Sequence, residues 1–592
     1  MSRQHPTSQE LSRILFEFAY WHEMQQTPFK PRAYQLASES VSALGNEVEE
    51  AWKKGGLEAL EKLPAIGKHI AEKTDEYFRT GRIKEYDVIK KKFPVDIWGL
   101  AQIEGVGPRH IFDLYKHLKV RSMNDLKKAL DSHKVRTIPR WGEKSEDKLM
   151  RGLALMERAS GRRLLGEILP VADTIVAALS KVPGVKRCAY AGSLRRRQET
   201  VGDIDLIATT SKPEAVMNAF VGLPLVETVH ERGKTRASVR LAIGIDADLR
   251  VVPDNVFGAT LQYFTGDKRH NVLLREFALS HGFTLNEYGL FRLKRGSHDH
   301  KKGSLVVCKT EEAIYKKLGM DTPPPEIRVG DEEIDAARRH SLPSLIPYGS
   351  VKGDLQVQTS WTDGSASIEE MAKAAKDAGL SYMAVTDHTK SLAFVGGLTD
   401  KRVAEQAKEI ARLNKKLSGF RILRGTECDI LKDGSLDLSD KTLASLEWVG
   451  VSVHSNFNLS RAAQTARVVK ALSNPNVDCY FHPTCRLIGK RDGIDLDMDE
   501  IIAAAKKCHV ALEIDGEPNR SDLRDLHVRM AVRAGVMLTI DSDAHAPDHF
   551  RFLPLGEAIA RRGWAPKKLI LNCKTAKELL AYLDKKPKTR VS

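Results

Sequence analysis

Between residues 351 and 575, apolar runs repeatedly end in a polar, ligand-type residue and then give way to a helical pattern. The runs include Met383-Ala384-Val385-Thr386-Asp387-His388, Ile422-Leu423-Arg424-Gly425-Thr426-Glu427 and Val449-Gly450-Val451-Ser452-Val453-His454. Cys479-Tyr480-Phe481-His482, Val510-Ala511-Leu512-Glu513 and Leu538-Thr539-Ile540-Asp541-Ser542-Asp543-Ala544-His545 continue the theme. Strand followed by helix, again and again, predicts parallel strands. Polar residues at their C-terminal ends predict a (β/α) barrel that gathers its active site there. One histidine at a strand end is commonly structural; a whole set of them asks for a shared ligand.

A second constraint lies upstream. Gly192-Ser193-Leu194-Arg195-Arg196-Arg197 precedes Val201-Gly202-Asp203-Ile204-Asp205-Leu206-Ile207. Strand side chains alternate faces, so Asp203 and Asp205 point the same way. Another strand, Ala247-Asp248-Leu249-Arg250, can add Asp248. Adjacent carboxylates repel unless a cation sits between them, and oxygen ligands of this kind suit Mg²⁺. Three carboxylates can hold two metals for in-line displacement at phosphorus. The Gly192-Ser193 turn can offer backbone N–H groups and a hydroxyl to a phosphate.

Residues 8 to 160 read as helices joined by short turns, with apolar residues at helical spacing in Leu11, Ile14, Leu15 and Phe18. Leu63-Pro64-Ala65-Ile66-Gly67-Lys68 and Ile103-Glu104-Gly105-Val106-Gly107-Pro108 each precede a helix. A glycine turn followed by a helix N-terminus presents N–H groups to a phosphate oxygen. Both turns resemble helix-hairpin-helix motifs, which implies that Gly67, Gly105 and Gly107 meet a DNA backbone without sequence reading. Ala65 stands where such a helix-hairpin-helix turn usually has glycine. Ile138-Pro139-Arg140-Trp141-Gly142 is a weaker third candidate.

Together these stretches resemble the family X DNA polymerases, in the bacterial and archaeal form fused to a polymerase-and-histidinol-phosphatase (PHP) domain. The resemblance covers nearly the whole chain. It extends to Tyr263-Phe264-Thr265-Gly266, which looks like the family's nucleotide-positioning turn, to Asn271 and Arg275 at the family's spacing, and to Asn286-Glu287-Tyr288-Gly289-Leu290. It implies that Gly192, Ser193, Arg196, Tyr263, Phe264, Gly266 and Asn271 bind the nucleotide, and that Arg275 meets DNA. Lys73 matches the lysine that forms a Schiff base with an abasic-site sugar; such chemistry needs a neutral amine, favoured by burial or by positive neighbours such as Lys68 and His69. In the barrel, Asp363, His388, Glu427, His454, His482, Asp543 and His545 match the PHP ligands of a trinuclear site, expected to hold Zn²⁺ or Mn²⁺. The first PHP motif departs: Asp354-Leu355-Gln356-Val357-Gln358 has glutamine at both histidine positions. An amide oxygen is a poorer ligand than imidazole for these ions. An incomplete metal set and reduced 3′-5′ exonuclease or phosphodiesterase activity are the consequence.

The expected architecture is multidomain. It comprises a helical lyase-like domain (1–90), a helix-hairpin-helix domain (91–160), an α/β nucleotidyltransferase palm (161–320), a linker with a proline triplet (321–350) and a distorted (β/α) barrel (351–592). A length of 592 residues accommodates this. Net charge of +15 and a pI near 9.3 favour a nucleic-acid partner. No run of eighteen apolar residues occurs, so no membrane span is expected. Seven scattered cysteines without a C-x-x-C pair suit a reduced, cytoplasmic setting. The function expected is gap-filling DNA synthesis from dNTPs on gapped or primer-template DNA with Mg²⁺ or Mn²⁺, by a monomer, in short-gap repair. Two alternatives stand beside it: a DNA-end-binding scaffold with decayed catalysis, and a phosphoesterase whose main activity is in the barrel.

Overall fold

The computed structural model describes residues 7–63, 65–103, 106–159, 161–293 and 302–584. They form two compact units, one of residues 1–160 with 489–491 and one of 161–488 with 492–592.

The first unit is helical. Its helices Ser8–Met24, Lys30–Leu44, Asn46–Leu60 and Lys68–Thr80 enclose a core containing Leu11, Ile14, Leu15 and Phe18. The apolar spacing of the sequence therefore marks the buried face of the first helix. A second core, with Ile97, Ile103, Ile111 and Leu114, lies among the helices that follow. Ala65 is held at φ +57° and Arg140 at φ +73°. Both occupy the left-handed conformation that glycine adopts freely and that costs a side-chain-bearing residue about 1–2 kcal/mol. The turn shape is thus present in both places without the glycine that would advertise it.

The second unit opens with a five-stranded sheet. The strand Asp203–Thr210 lies between the antiparallel Val185–Tyr190 and the parallel Asp246–Val251, followed by Arg236–Leu241 and Val226–Arg232. The helix Leu165–Ser180 packs on it and buries Leu165, Ile168, Ala172 and Ile175. Helices Phe257–Thr265 and Lys268–Ser280 and a three-stranded sheet follow. Seven parallel strands in sequence order, from Gly353–Val357 to Leu538–Asp541, then make the barrel. It closes where Gln358 N–H donates to the Ala544 carbonyl (2.8 Å) and Ala544 N–H to that of Gln356 (3.2 Å). The expected α/β and barrel classes are both present.

The segment 321–350, expected as a linker, is packed against both neighbours. Arg328 is 1% exposed and pairs with Glu311 at 2.5 Å. Glu333 is fully buried and meets His270 Nδ1 at 2.7 Å, while His270 Nε2 lies 2.8 Å from the Tyr315 hydroxyl. On the barrel side, Arg529 and Arg533 pair with Glu332, Arg561 with Glu326, and the Gly349 and Ser350 N–H groups donate to Glu557. Arg328, Glu333 and Glu326, which look solvated in the sequence, here find partners and are buried with them. The barrel's Leu555 joins the core of the five-stranded sheet. A Cβ on Gly166 would come within 2.6 Å of Pro518 Cγ, so the backbone approach there requires glycine.

Candidate active sites

In the sheet, the parallel register pairs Asp205 with Asp248 and Asp203 with Asp246. Alternation places Asp203, Asp205 and Asp248 on one face, as the period of two predicts. Burial pushes the Asp205 carboxyl up to about 6, reinforced by Asp203 and Asp248. Asp203 is raised for the same reasons, burial first and then Asp248. Asp248 Oδ1 is buried without a hydrogen-bond partner; the nearest cation, Arg236, is 3.9 Å away. Three carboxylates on one face, two of them raised by burial and by their neighbours and the third with an orphaned oxygen, make a donor set that fits divalent cations.

The turn beside them is a single helical turn, Gly192–Arg195. Gly192 has φ +59°, and a Cβ there would stand 2.5 Å from Asp205 Oδ2. Its glycine is therefore required both by conformation and by the Asp205 carboxylate behind it. The sequence discloses the turn but not that contact. The two arginines differ. Arg195 is consumed by Glu311 (2.5 and 3.0 Å) and the Thr265 hydroxyl (2.5 Å). Arg196 donates to the Thr265 carbonyl and keeps a buried Nε without a partner; burial lowers its pKa. Gly266, at φ +24°, ends the helix carrying Tyr263 and Phe264. The two rings meet edge to face at 5.3 Å, with Arg250 over Phe264. Asn271 donates to the Tyr263 carbonyl (2.7 Å) and accepts from Gln262 (2.9 Å), so both ends of its amide hold this turn. Arg275 is exposed on the following helix.

In the helical unit, Lys73 lines a cavity of about 400 Å³ with Lys30, Tyr34, Gly67, His69 and Glu85. Its ammonium lies 2.5 Å from Glu85 and over the Phe18 ring. The cationic neighbours expected for Lys73, Lys68 and His69, line the same cavity with exposed side chains, and a carboxylate is its direct partner. Gly67 and Gly107 cap the helices Lys68–Thr80 and Pro108–Leu118 with φ −77° and −88°. Neither uses the left-handed conformation, so what glycine supplies there is open space; nothing lies within 4 Å of a Cβ on Gly67. The Gly107 N–H is already taken by the His110 ring (3.3 Å). Gly105 lies outside the described residues.

In the barrel, strand ends bring the expected ligands to one cavity of about 190 Å³. Asp363, His388 and His545 form one group with metal-ligand spacing, and His388, Glu427 and His454 another. Glu427 Oε1 lies 3.2 Å from His454 Nε2 and 2.8 Å from His482 Nε2. Asp429, behind His454 at 3.2 Å, fixes that ring through Nδ1, a supporting residue the sequence did not reveal. Burial disfavours the charged imidazole of His454, but Asp429 and Glu427 outweigh it and push the pKa up to about 9. Asp363 is likewise held down to about 2, against burial, by His388 and His545. His482 and Asp543 sit at φ +28° and +48°. Backbone strain of this kind gathers at functional sites.

The two glutamines behave unlike histidines. Both are fully buried. Gln358 donates its amide N–H to Glu427 Oε2 at 2.7 Å. Gln356, with its amide nitrogen turned toward Glu513, donates to that carboxylate. Arg520 places its guanidinium 3.5 Å from Asp543 and 3.7 Å from Asp515. Donors therefore face carboxylates where a metal would seek lone pairs. The residues fit ions in the two groups named above; the amide N–H groups of Gln356 and Gln358 are spent on carboxylates, while Gln358 keeps a buried Oε1 without a hydrogen-bond partner.

Comparison with known proteins finds matches in three parts of the chain. Family models for a helix-hairpin-helix domain, the DNA polymerase beta thumb and a PHP domain match residues 6–83, 260–329 and 354–518. The DNA polymerase/3'-5' exonuclease PolX of Bacillus subtilis is 35% identical over 579 residues, 97% of this chain and 99% of that protein. Rat DNA polymerase lambda is 25% identical over 44% of this chain and 46% of its own length. A probable phosphatase of Shewanella sediminis is 28% identical over 38% of this chain and 90% of its own.

Proposed function

The chain belongs to the family X DNA polymerases that carry a PHP domain, and from that premise we propose that it fills short gaps in DNA during repair, with the barrel's hydrolytic activity reduced. The observation that carries the reading is the Asp203, Asp205 and Asp248 set, with Gly192 packed on Asp205. These carboxylates would hold Mg²⁺ or Mn²⁺, which supplies activation of a primer 3′-hydroxyl and charge for the leaving pyrophosphate. Ser193 and Arg196 orient the triphosphate of an incoming dNTP. Tyr263 and Phe264 pack against its sugar, on a turn that Asn271 and Gly266 hold. Gly67, Gly105 and Gly107 lie along the DNA backbone and Arg275 adds a phosphate contact, consistent with a net charge of +15. We further read the chain as a monomer acting in the cytoplasm; among the described residues no helix is long and apolar enough to cross a membrane.

For the barrel, a 3'-5' exonuclease of the kind named for the Bacillus subtilis relative would be weakened here by the two glutamines. Here Asp363, His388 and His545 would hold one Zn²⁺ or Mn²⁺ and His388, Glu427 and His454 another, with His482 on Glu427 and Asp543 engaged by Arg520. Gln358 on Glu427 supports attenuation rather than a third ion. A 5′-deoxyribose-phosphate lyase role for Lys73 is favoured by its cavity, once the amine leaves Glu85. Single-nucleotide insertion on one-nucleotide-gapped DNA with Mg²⁺ tests the main reading. Incorporation supports it; tight DNA binding without incorporation would favour the scaffold.

A further inference from the structure

The turn that carries Ser193 and Arg196 is not held by its own sheet alone. After Arg195 the chain passes through Arg197 at φ +54° and folds back, so that Gln198 N–H donates to the Ser193 carbonyl at 3.0 Å. A left-handed residue with a side chain persists only where its surroundings over-determine it. Two arginines of the barrel do so. Arg562, the last residue of the helix Leu553–Arg562, donates to the Arg197 carbonyl oxygen and is fixed by Asp525 at 3.1 Å. Arg486 grips Glu199 with two bonds, 3.2 and 2.5 Å, and donates to the Ser521 carbonyl. Both arginine side chains are 2% exposed. The Glu199 carbonyl in turn accepts from Leu165 N–H at 3.0 Å, tying the turn to the helix that backs the sheet. The bidentate Arg486–Glu199 pair fixes direction as well as distance.

We propose that the barrel serves the polymerase reaction as a positioning element: Arg562 and Arg486 hold residues 192–199 in the shape that presents Ser193 and Arg196 to the nucleotide. The proposal rests on reading that turn as nucleotide-binding. It gives the barrel a use that survives the loss of its first histidine motif, because the neighbouring site needs its fold and not its turnover.

The test is single-nucleotide insertion on gapped DNA by the full chain. Arg562→Ala should raise KM for the dNTP ~10-fold or more, since small misplacements of orienting groups are costly. DNA affinity should not change. Arg562→Lys, which keeps one donor for the Arg197 carbonyl, should fall between and carries the test if the alanine variant does not fold. Arg533→Ala breaks the barrel's contact with Glu332, outside the turn, and should leave KM unchanged. A folded Arg562→Ala with KM within about twofold of the natural chain would overturn the proposal, as would an equal rise in Arg533→Ala. Ser193→Ala separates the premise from the proposal. If it leaves KM unchanged, the nucleotide-binding reading fails; if it raises KM while Arg562→Ala does not, only the positioning role fails.

Discussion

Replacing Gly192 by alanine perturbs the polymerase site through one methyl group. The residue sits at φ +59°, where a non-glycine residue costs about 1–2 kcal/mol. The new Cβ would also stand 2.5 Å from Asp205 Oδ2, about 0.9 Å inside the 3.4 Å of ordinary contact. Asp205 can make room only by turning its carboxylate away from the position it holds against Gly192. A misplacement near 1 Å costs ~100-fold in rate, or about 2.7 kcal/mol of activation free energy. The assay is kcat/KM for insertion at a one-nucleotide gap, with a thermal melt on the same sample. Gly244→Ala is the control: it has φ +78° but faces Arg163 rather than the carboxylates. The expectation is a ~100-fold loss for Gly192→Ala and little for Gly244→Ala. Activity within about threefold of the natural chain in a folded Gly192→Ala would refute the argument that Asp205 must stay where Gly192 lets it stand.

Further outcomes are expected elsewhere. Gln356→His with Gln358→His should increase bound Mn²⁺ or Zn²⁺ by elemental analysis and raise nuclease activity; unchanged metal content would show that the glutamines do not limit the site. Lys73→Ala should lose most of the borohydride-trapped adduct with a 5′-deoxyribose-phosphate end, and an undiminished adduct would remove Lys73 from that role. Glu146 is buried, which raises a carboxyl pKa, yet Arg136 and His133 hold it down to about 2 from 4.5. A depressed folded pKa gives stability that is complete above the unfolded value and lost as pH falls from about 4.5 toward 2. Glu146→Gln should therefore flatten the acid limb of hydrogen-exchange protection in the helix Glu143–Ala159; an unchanged limb would contradict the pairing.

Much of this was legible in the chain because period and chemistry coincide. Asp203 and Asp205 alternate with apolar residues in a half-buried strand, and the barrel's ligands stand at strand ends. What the sequence hid was mostly pairing. Arg328, Glu333 and Glu326 look like linker charge, but each is buried with a partner outside the segment, at Glu311, His270 and Arg561. Lys73 reads as one cation among several until Glu85 is placed beside it. Gln356 and Gln358 are visible as departures, yet only the fold shows that their amides donate to Glu513 and Glu427. Ala65 and Arg140 hold left-handed turns without glycine, so the residue that usually signals such a turn is missing.

The central claim is tested most directly by Asp205→Ala on gapped DNA with Mg²⁺, measuring incorporation and DNA affinity together. The account predicts that incorporation disappears while affinity stays the same or rises, because a negative charge leaves a site that faces DNA. Incorporation retained at a rate near that of the natural chain would contradict it.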